Sequence, residues 1–336
     1  MLDRFELLKL LGDGRFHSGQ TLARPLGVSR GAIWKALRKI AQDFNLDIQS
    51  VRGRGYRLEK PIEFLDLEKI QAGLKSATGS LLSGIELHNS LGSTNHHLYE
   101  LARQGASSGR VVIAEHQQAG RGRRGRIWIS PFAQNLYLSL LWRFDFGLAR
   151  LSGLSLTVAV AVARALHQVT GIEPELKWPN DIQYQGRKLS GNLLEVQGES
   201  EGPCVAVIGV GVNVSMSAAI ADDIDQPWTD LSIASGRQIS RNLLCAAILN
   251  ELALALVAFS ETGLKTFMSD WRRWDGIMDK SVRLIFADHE IEGEVCGIDE
   301  QGALLLKNRT GLHRYHMGEV SLRRSVNLND KFNQSQ

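Results

Sequence analysis

The sequence predicts a multidomain α+β fold: an N-terminal winged helix-turn-helix, a central mixed-sheet α/β domain and a C-terminal small β-barrel of the SH3-like type. A chain of 336 residues exceeds what one ordinary hydrophobic core accommodates. Basic residues are concentrated near the N-terminus, and the periodicity of apolar residues changes twice along the chain. We therefore expect domains at 1–64, 65–272 and 273–326, and a disordered tail at 327–336.

Composition narrows the class of protein. The chain is 43% hydrophobic and 22% charged, which is typical of soluble globular proteins. The first ten residues carry charges within an apolar periodicity, which favours a folded helix over a secretory signal. The apolar stretches 151–163 and 245–259 are shorter than the roughly 20 residues of a membrane span. Three cysteines without a CxxC pair, and nine histidines without metal spacing, predict neither a disulfide framework nor a zinc site. We expect a cytoplasmic protein without a membrane partner.

Three short amphipathic segments at 3–11, 18–26 and 29–41 predict three helices in the N-terminal part. Ser18 and Ser29 occupy positions suited to N-caps. Only Leu26, Gly27 and Val28 separate the second segment from the third, which is the tight connection of a helix-turn-helix. Pro25 removes a backbone donor, so we expect the second helix to be short or bent there.

The N-terminal part also carries the features of a DNA-binding surface. Residues 1–60 contain 12 Lys and Arg against 6 Asp and Glu, and a basic excess favours a polyanionic partner. The alternating segment 47–58 contains an Arg-Gly-Arg-Gly tip and predicts the hairpin wing of a winged helix. The alternatives are a solvated basic surface or a three-helix protein-interaction module. The predicted DNA contacts are Ser29, Arg30, Trp34, Lys35 and Arg38 of the recognition helix and Arg52 and Arg54 of the wing.

Strand-like runs alternate with long helical stretches through the central part. Strands are predicted at 85–89, 111–115, 136–142, 193–196 and 204–214, and helices at 94–103, 149–169 and 241–259. This order indicates helices layered on a mixed sheet. The C-terminal part shows short alternating segments at 282–286, 290–296, 303–306 and 312–316 with glycine-containing turns, which predict the small barrel.

The segment 120–126, GRGRRGR, follows a predicted strand and precedes Trp128. Four arginines in seven residues should not be buried, and three glycines oppose a stable helix. We expect a mobile loop that orders over an anionic ligand, with guanidinium groups binding carboxylate or phosphate. A nucleic-acid or localisation patch is the alternative.

The second unusual cluster is Lys177-Trp178-Pro179-Asn180-Asp181, which lies shortly before Lys188. Proline defines a corner from which Asn180 and Asp181 project. Activation of a carboxylate on ATP requires cations between the carboxylate and the α-phosphate, and an acidic side chain that holds Mg²⁺ on the triphosphate. Lys177, Asn180, Asp181 and Lys188 are residue types suited to that reaction.

Five motifs occur in the order found in biotin–protein ligases. They are Ser-Thr-Asn at 93–95, the loop 117–126 with Trp128, 177–181, Arg-Lys-Leu-Ser-Gly at 187–191 and Gly-Val-Gly-Val-Asn at 209–213. With the winged helix and the barrel, the chain resembles the repressor-bearing class of this family over nearly its whole length. The resemblance implies that the central domain is a ligase domain, which forms biotinyl-5'-AMP from biotin and ATP and transfers biotin to a lysine of a carrier protein.

The resemblance also implies roles for individual residues. The implied catalytic residues are Lys188, Arg123 and Asp181. Those for biotin are Ser93, Thr94, Asn95, Gln117, Arg121, Gly122, Arg123 and Lys188. Those for ATP and the adenylate are Trp128, Lys177, Asn180, Asp181, Asn213 and Trp228, with Asp181 holding Mg²⁺ through ATP. Ordinary packing is nearly as plausible for Trp228. The chain departs from the family pattern at Gly92, where relatives often have an acidic residue, and at Ser217 and Ala218, where they can be basic.

The implied partners are the biotin carboxyl carrier protein of acetyl-CoA carboxylase, operator DNA and a second copy of the chain when the adenylate is bound. Biotinyl-5'-AMP would be both intermediate and corepressor, and biotin biosynthesis the repressed process. The strand at 193–196 could pair the sheets of two copies edge to edge, although burial within one sheet is equally plausible. Two other functions remain open: a biotin-sensing repressor with an inactive ligase site, and a lipoate-type protein ligase.

Overall fold

The computed structural model describes residues 2–217, 224–286 and 289–316 and the backbone of 321–324. Ala218 and the tail expected at 327–336 lie outside the described residues. Within the described part, the predicted fold class is confirmed: helix-turn-helix, mixed-sheet domain and antiparallel C-terminal strands follow in that order.

The N-terminal unit consists of α1 (Arg4–Leu11), α2 (Gly19–Leu26), α3 (Arg30–Phe44) and the hairpin β1 (Ile48–Val51) and β2 (Gly55–Leu58). Ser18 and Ser29 cap α2 and α3, as predicted, because each hydroxyl accepts from a backbone amide three residues ahead. The eight-residue α2 is short but runs through Pro25, and Gly27 then ends it in a left-handed conformation at φ 62°. Helix α3, the predicted recognition helix, extends three residues beyond its predicted end at 41.

The wing packs against the segment that precedes α2. Tyr56 and His17 exchange two backbone hydrogen bonds of 2.8 Å. Gly55 has φ +100°, and a Cβ at this position would overlap the carbonyl of His17. Glycine is therefore required where the wing meets the helices.

The central unit is built on a seven-stranded mixed sheet in the order β3-β4-β5-β9-β8-β7-β6, in which only β3 and β4 are parallel. Its elements begin with α4 (Leu67–Ala72), α5 (Ser76–Gly79), β3 (Gly84–His88), α6 (Thr94–Arg103), β4 (Arg110–Ala114), β5 (Leu136–Phe144) and α7 (Leu154–Thr170). They continue with β6 (Glu175–Lys177), β7 (Asp181–Tyr184), β8 (Arg187–Gly198), β9 (Cys204–Val212), α8 (Leu231–Ser235), α9 (Arg241–Thr262) and α10 (Met268–Trp274).

Helices cover both faces of this sheet. In β4, Ile113 joins the large core beneath α7 and α9, whereas Val112 joins a smaller cluster with Leu98 of α6. Successive residues of a strand point to opposite faces, so α6 lies opposite α7 and α9. The helical run Arg241–Trp274 is long and apolar enough to cross a membrane, but it is mostly buried and packs against α7 as a core helix.

The C-terminal unit is a five-stranded antiparallel sheet in the order β13-β12-β11-β10-β14. Its strands are β10 (Ser281–Ile285), β11 (Glu290–Ile298), β12 (Leu304–Asn308), β13 (Gly311–Tyr315) and β14 (Ser321–Arg324). The sequence pattern did not predict β14. Val282, Leu284 and Leu306 belong to the same core as α7 and α9, so this unit packs directly on the central domain.

The N-terminal unit is joined to the central domain by a buried contact that sequence did not predict. Phe132 of the central domain is 1% exposed and lies within the core of the N-terminal helices. Its ring centroid lies 4.5 Å from that of Phe44. Nearby, the buried pair Arg241–Glu115 has an Nη1–Oε2 distance of 2.6 Å, and Arg241 also donates to the carbonyl of Glu63, which lies between β2 and α4. Charges this deeply buried require a partner.

Candidate active site

A cavity of about 830 Å³ opens on the α6 side of the sheet. Its lining includes every residue predicted to bind biotin or nucleotide: Ser93, Thr94, Asn95, Gln117, Arg121, Gly122, Arg123, Trp128, Lys177, Asn180, Asp181, Lys188, Asn213 and Trp228. These residues come from distant parts of the sequence and converge where the start of α6, the segment after β4 and the strands β6 to β9 meet. Their individual roles remain predictions.

At one end of the cavity, the start of α6 carries a continuous hydrogen-bond network. Gln117 Oε1 accepts from the amide and the hydroxyl of Thr94 at 2.9 and 3.1 Å. Ser139 Oγ lies 2.8 Å from Thr94 Oγ1 and 2.6 Å from Asn95 Oδ1 and can donate its single proton to either one. Asn95 in turn donates to Glu195 Oε2 at 3.0 Å. This arrangement fixes the orientation of polar groups before a ligand arrives.

Sequence reasoning missed Ser139 and Glu195. Ser139 is fully buried within the apolar strand β5. A serine in such an apolar strand is a signal that could have identified it, because a buried hydroxyl needs a partner. Glu195 accepts from Asn95 and also pairs with Arg121 at 3.0 Å.

The glycines of the 209–213 motif create the space of the cavity. A Cβ on Gly209 would overlap the amide of Asn95. A Cβ on Gly211 would lie 2.5 Å from Cε2 of Trp128, and one on Gly191 would lie 3.0 Å from Cζ3 of the same ring. Trp128 therefore lies directly on the backbone of β8 and β9, where only glycine allows this approach.

A cationic corner occupies the other end. Lys188 Nζ lies 2.8 Å from Asp181 Oδ1, and both side chains are mostly buried. Arg123 Nη1 donates to Asn180 Oδ1 at 3.2 Å, and Asn180 donates to the carbonyl of Asn192 at 2.7 Å. Burial and the neighbouring Arg124 lower the pKa of Arg123, although Asp181 opposes this effect. The corner thus holds two cations near one carboxylate.

The arginine loop differs in part from the prediction. Gly122 N donates to Arg126 O at 2.7 Å, and Arg123–Gly125 forms a 3₁₀ turn, so the segment is a compact turn in this structure. Arg121, Arg124 and Arg126 are exposed, but Arg123 is half-buried. None of the four arginines is fully buried, as expected, but Arg123 is less exposed than the others because its guanidinium faces Asn180 and Asp181 inside the cavity.

The two tryptophans enclose the cationic corner differently. Lys188 Nζ lies 5.5 Å from the centroid of the Trp128 ring, and the buried indole Nε1 has no hydrogen-bond partner among the described residues. Trp228 is half-buried, and its backbone bridges to that of Lys188. Asn213 holds the segment that contains Trp228 by donating from Nδ2 to Thr229 O at 3.1 Å.

The C-terminal unit supplies part of the cavity wall. Ile277 and Val282 line it, and the buried Trp178 donates from Nε1 to Gly302 O at 3.0 Å. The corner that carries Asn180 and Asp181 is thus anchored to the C-terminal unit. This contact involves residues far apart in sequence, so spacing alone did not indicate it.

Comparison with known proteins identifies the family. The Biotin/lipoate A/B protein ligase family matches residues 87–213, an HTH domain matches 3–57, and the Biotin protein ligase C terminal domain matches 277–323. The bifunctional ligase/repressor BirA of Salmonella typhimurium is 41% identical over 94% of this chain and 96% of its own. The Bacillus subtilis protein of the same name is 32% identical over 95% and 98%. The chain belongs to the bifunctional biotin ligase/repressor family.

A solved structure agrees with this assignment. Biotin protein ligase from Aquifex aeolicus in complex with biotin and ATP matches with a TM-score of 0.63 and 30% identity, over 73% of this chain and all of that one. The predicted family and the predicted ligase class are confirmed. At the departures from the family pattern, Gly92 has open space around its Cβ position, and Ser217 N donates to Gln134 Oε1 at 2.8 Å.

The predicted DNA-binding residues are all exposed. Ser29, Arg30, Lys35, Arg52 and Arg54 are exposed on α3 and the wing, as are Trp34 and Arg38. The Arg38 guanidinium lies 5.0 Å from the Trp34 ring, and that of Arg54 lies 4.2 Å from the Phe16 ring. These contacts restrain the two arginines while leaving them accessible. Their role in DNA contact remains a prediction.

Proposed function

We propose that the chain activates biotin with ATP as biotinyl-5'-AMP and transfers it to a lysine of the biotin carboxyl carrier protein, in the cytoplasm. The observation that carries the proposal is a single cavity with a preorganised polar network at one end and the Lys188–Asp181–Arg123 corner at the other. Relatives over nearly the whole length are named as ligase and repressor in one protein.

The polar end suits the ureido ring of biotin. This ring carries a carbonyl acceptor and two N–H donors, all of which need partners once buried. Ser93 and Thr94 offer hydroxyls, and Asn95 and Gln117 offer amides that neighbouring residues already orient. Arg121 and Gly122 close this end from the loop side. A lipoyl group lacks the ureido ring and would leave these groups unpaired, which costs binding energy.

The cationic corner suits adenylation. A carboxylate oxygen of biotin attacks the α-phosphorus, the bond to the β,γ-phosphates breaks, and pyrophosphate leaves. Lys188 and Arg123 would neutralise the two anionic groups as they approach, in a site largely shielded from water. In the second step the carrier lysine amine attacks the acyl carbonyl, loses a proton, and AMP leaves.

Asp181 has the donor chemistry for Mg²⁺ bound to ATP, because hard cations prefer carboxylate oxygens. Its present partner is Lys188 Nζ. When bound, Mg²⁺ would neutralise charge on the triphosphate. Lys177, Asn180, Asn213 and Trp228 would then position the nucleotide beside Trp128.

The experiment is incubation of the full chain with biotin, ATP and a biotin carboxyl carrier domain. Pyrophosphate release together with carrier labelling supports the proposal. Binding of biotin without pyrophosphate release would favour a sensing repressor with an inactive site. Labelling with lipoate in preference to biotin would favour the lipoate-type ligase.

We also propose that the adenylate promotes dimerisation and operator binding, so that the chain represses biotin biosynthesis. A single winged helix offers few contacts, and specific binding generally needs two on paired half-sites. The strand predicted for edge pairing, 193–196, lies within β8. β7 pairs with β8 only up to Gly191, so along 193–198 the described residues provide a strand partner, β9, on one side. Val196 is 46% exposed there.

Sedimentation with and without biotinyl-5'-AMP tests this step. A coupling of about 1 to 3 kcal/mol would strengthen dimerisation roughly 5- to 150-fold. Val196→Lys places a charge on the open edge and should abolish the dimer and operator binding while adenylation persists. Leu254→Lys, at a position 40% exposed on α9, is the matched control. Equal dimerisation with and without adenylate would refute the coupling. A Val196→Lys variant that dimerises as the wild type does would refute pairing of two copies along this edge of β8.

A further inference from the structure

Two histidines and a glutamate converge at the open edge of the central sheet, outside the cavity. Glu86 and His88 stand two residues apart on β3, so both point to the face covered by α6, and His97 projects from α6. The Nε2 atoms of His88 and His97 lie 3.0 and 3.2 Å from the same oxygen, Oε2 of Glu86. The ligand atoms all lie within 4.8 Å of one another.

We propose that Glu86, His88 and His97 form a binding site for a divalent transition-metal ion, with Zn²⁺ as the first probe. Zinc binds imidazole nitrogen and carboxylate oxygen at about 2.0 to 2.2 Å, so its ligand atoms lie a few ångströms apart, as these do. Imidazole suits zinc and its transition-metal neighbours, whereas Mg²⁺ and Ca²⁺ prefer all-oxygen sites. Sequence spacing did not indicate this site, because its third ligand comes from a separate element.

Arg110 prepares the carboxylate for this role. Its Nε and Nη2 atoms donate to Oε1 of Glu86 at 3.1 and 2.5 Å, which leaves Oε2 directed at the histidines. The carboxylate is therefore held by an outer partner, as metal-binding carboxylates commonly are.

An ion can reach this position. β3 is the edge strand of the sheet, and the three side chains are 25% to 35% exposed. Three protein ligands leave one tetrahedral position for water or an exogenous ligand. Because Thr94 and Asn95 in the first turn of α6 line the cavity, an ion bound to His97 would tie that turn to β3.

The test is titration of the chelator-treated full chain with Co²⁺, followed by visible absorption and by competition with Zn²⁺. We expect one saturable site with the absorption of a four-coordinate ion, which Zn²⁺ displaces and Mg²⁺ does not. His88→Gln and His97→Gln keep an amide that can hydrogen-bond to Glu86, and each should weaken binding by roughly tenfold or more. Glu86→Gln should do the same.

His96→Ala is the matched control, since His96 is exposed and adjacent to His97 but outside the cluster. It should bind Co²⁺ as the wild type does. Absence of saturable binding to the wild type would overturn the proposal, and so would equal affinity in the His88, His97 and His96 variants. Thermal unfolding without metal shows whether each variant is folded, and wild-type binding tests the proposal independently of them.

Discussion

Replacement of Gly211 by alanine should separate activity from stability. Gly211 lies in the middle of β9, paired with Tyr137 on one side and Gly191 on the other, so its backbone is fixed. The added Cβ would lie 2.5 Å from Cε2 of Trp128. Since carbon atoms normally lie about 3.5 to 4.0 Å apart, the indole must move by roughly 1 Å.

The energetic consequence has two parts of opposite sign. Alanine is favoured over glycine within a strand by roughly 0.5 to 1 kcal/mol, which stabilises the fold. Overpacking costs typically 1 to 3 kcal/mol, and the side chain of Trp128 on its loop can relieve it more easily than the sheet can. If the loop that carries Trp128 moves, the fold keeps its stability, but the ligand complex, which needs the indole in its original position, is destabilised by the same amount. At 1.4 kcal/mol per tenfold change, kcat/KM should fall by about 5- to 150-fold.

The assay is pyrophosphate release at varied biotin and ATP concentrations, with a thermal melt of the same sample. We expect reduced kcat/KM and an unchanged or slightly raised Tm. Gly79→Ala is the control, since no atom lies within 4 Å of its Cβ position. Wild-type kcat/KM in Gly211→Ala would refute the assigned role of this glycine, and a large drop in Tm would show that the sheet rather than the loop absorbs the overlap.

Three further predictions follow from the site and the domain contact. Lys188→Ala should slow pyrophosphate release by about 10²- to 10³-fold without unfolding the chain, because it removes a preorganised cation, and an unchanged rate would contradict its role. Arg123→Gly should release biotinyl-5'-AMP, so that bystander proteins become biotinylated; strict labelling of the carrier alone would argue against retention by this residue. Phe132→Ala should lower the free energy of unfolding by about 3 to 5 kcal/mol in urea denaturation, and a loss below 1 kcal/mol would show that the aromatic contact with the N-terminal helices is weak.

Local sequence predicted many of the helices and strands, but not β6, β7 or β14, because its signals act over a few residues. Ser18 and Ser29 cap the helices they precede, and the helix predicted at 94–103 has those bounds. Predicted strands in the central sheet agree to within a few residues, except that β8 is twelve residues long rather than four. Neighbouring strands support its extra length, which no local pattern records.

The sequence also identified many of the polar and aromatic residues that line the cavity, because five motifs in order marked all of those it named except Trp228. It did not indicate how these residues are held. Ser139 and Glu195 hold Asn95, and Gly191 and Gly211 make room for Trp128. These contacts join separate elements, and those between strands depend on the register of the sheet.

Tertiary structure alone decided the connections between the three units. Phe132 enters the N-terminal core, and Trp178 donates to Gly302 of the C-terminal unit. Within the central unit, His97 likewise meets Glu86 from a separate element. Each pair is distant in sequence or lies on different elements, so no periodicity or spacing records it. Residue types and local order follow from short-range preferences, whereas these contacts exist only once packing has brought separate elements within a few ångströms.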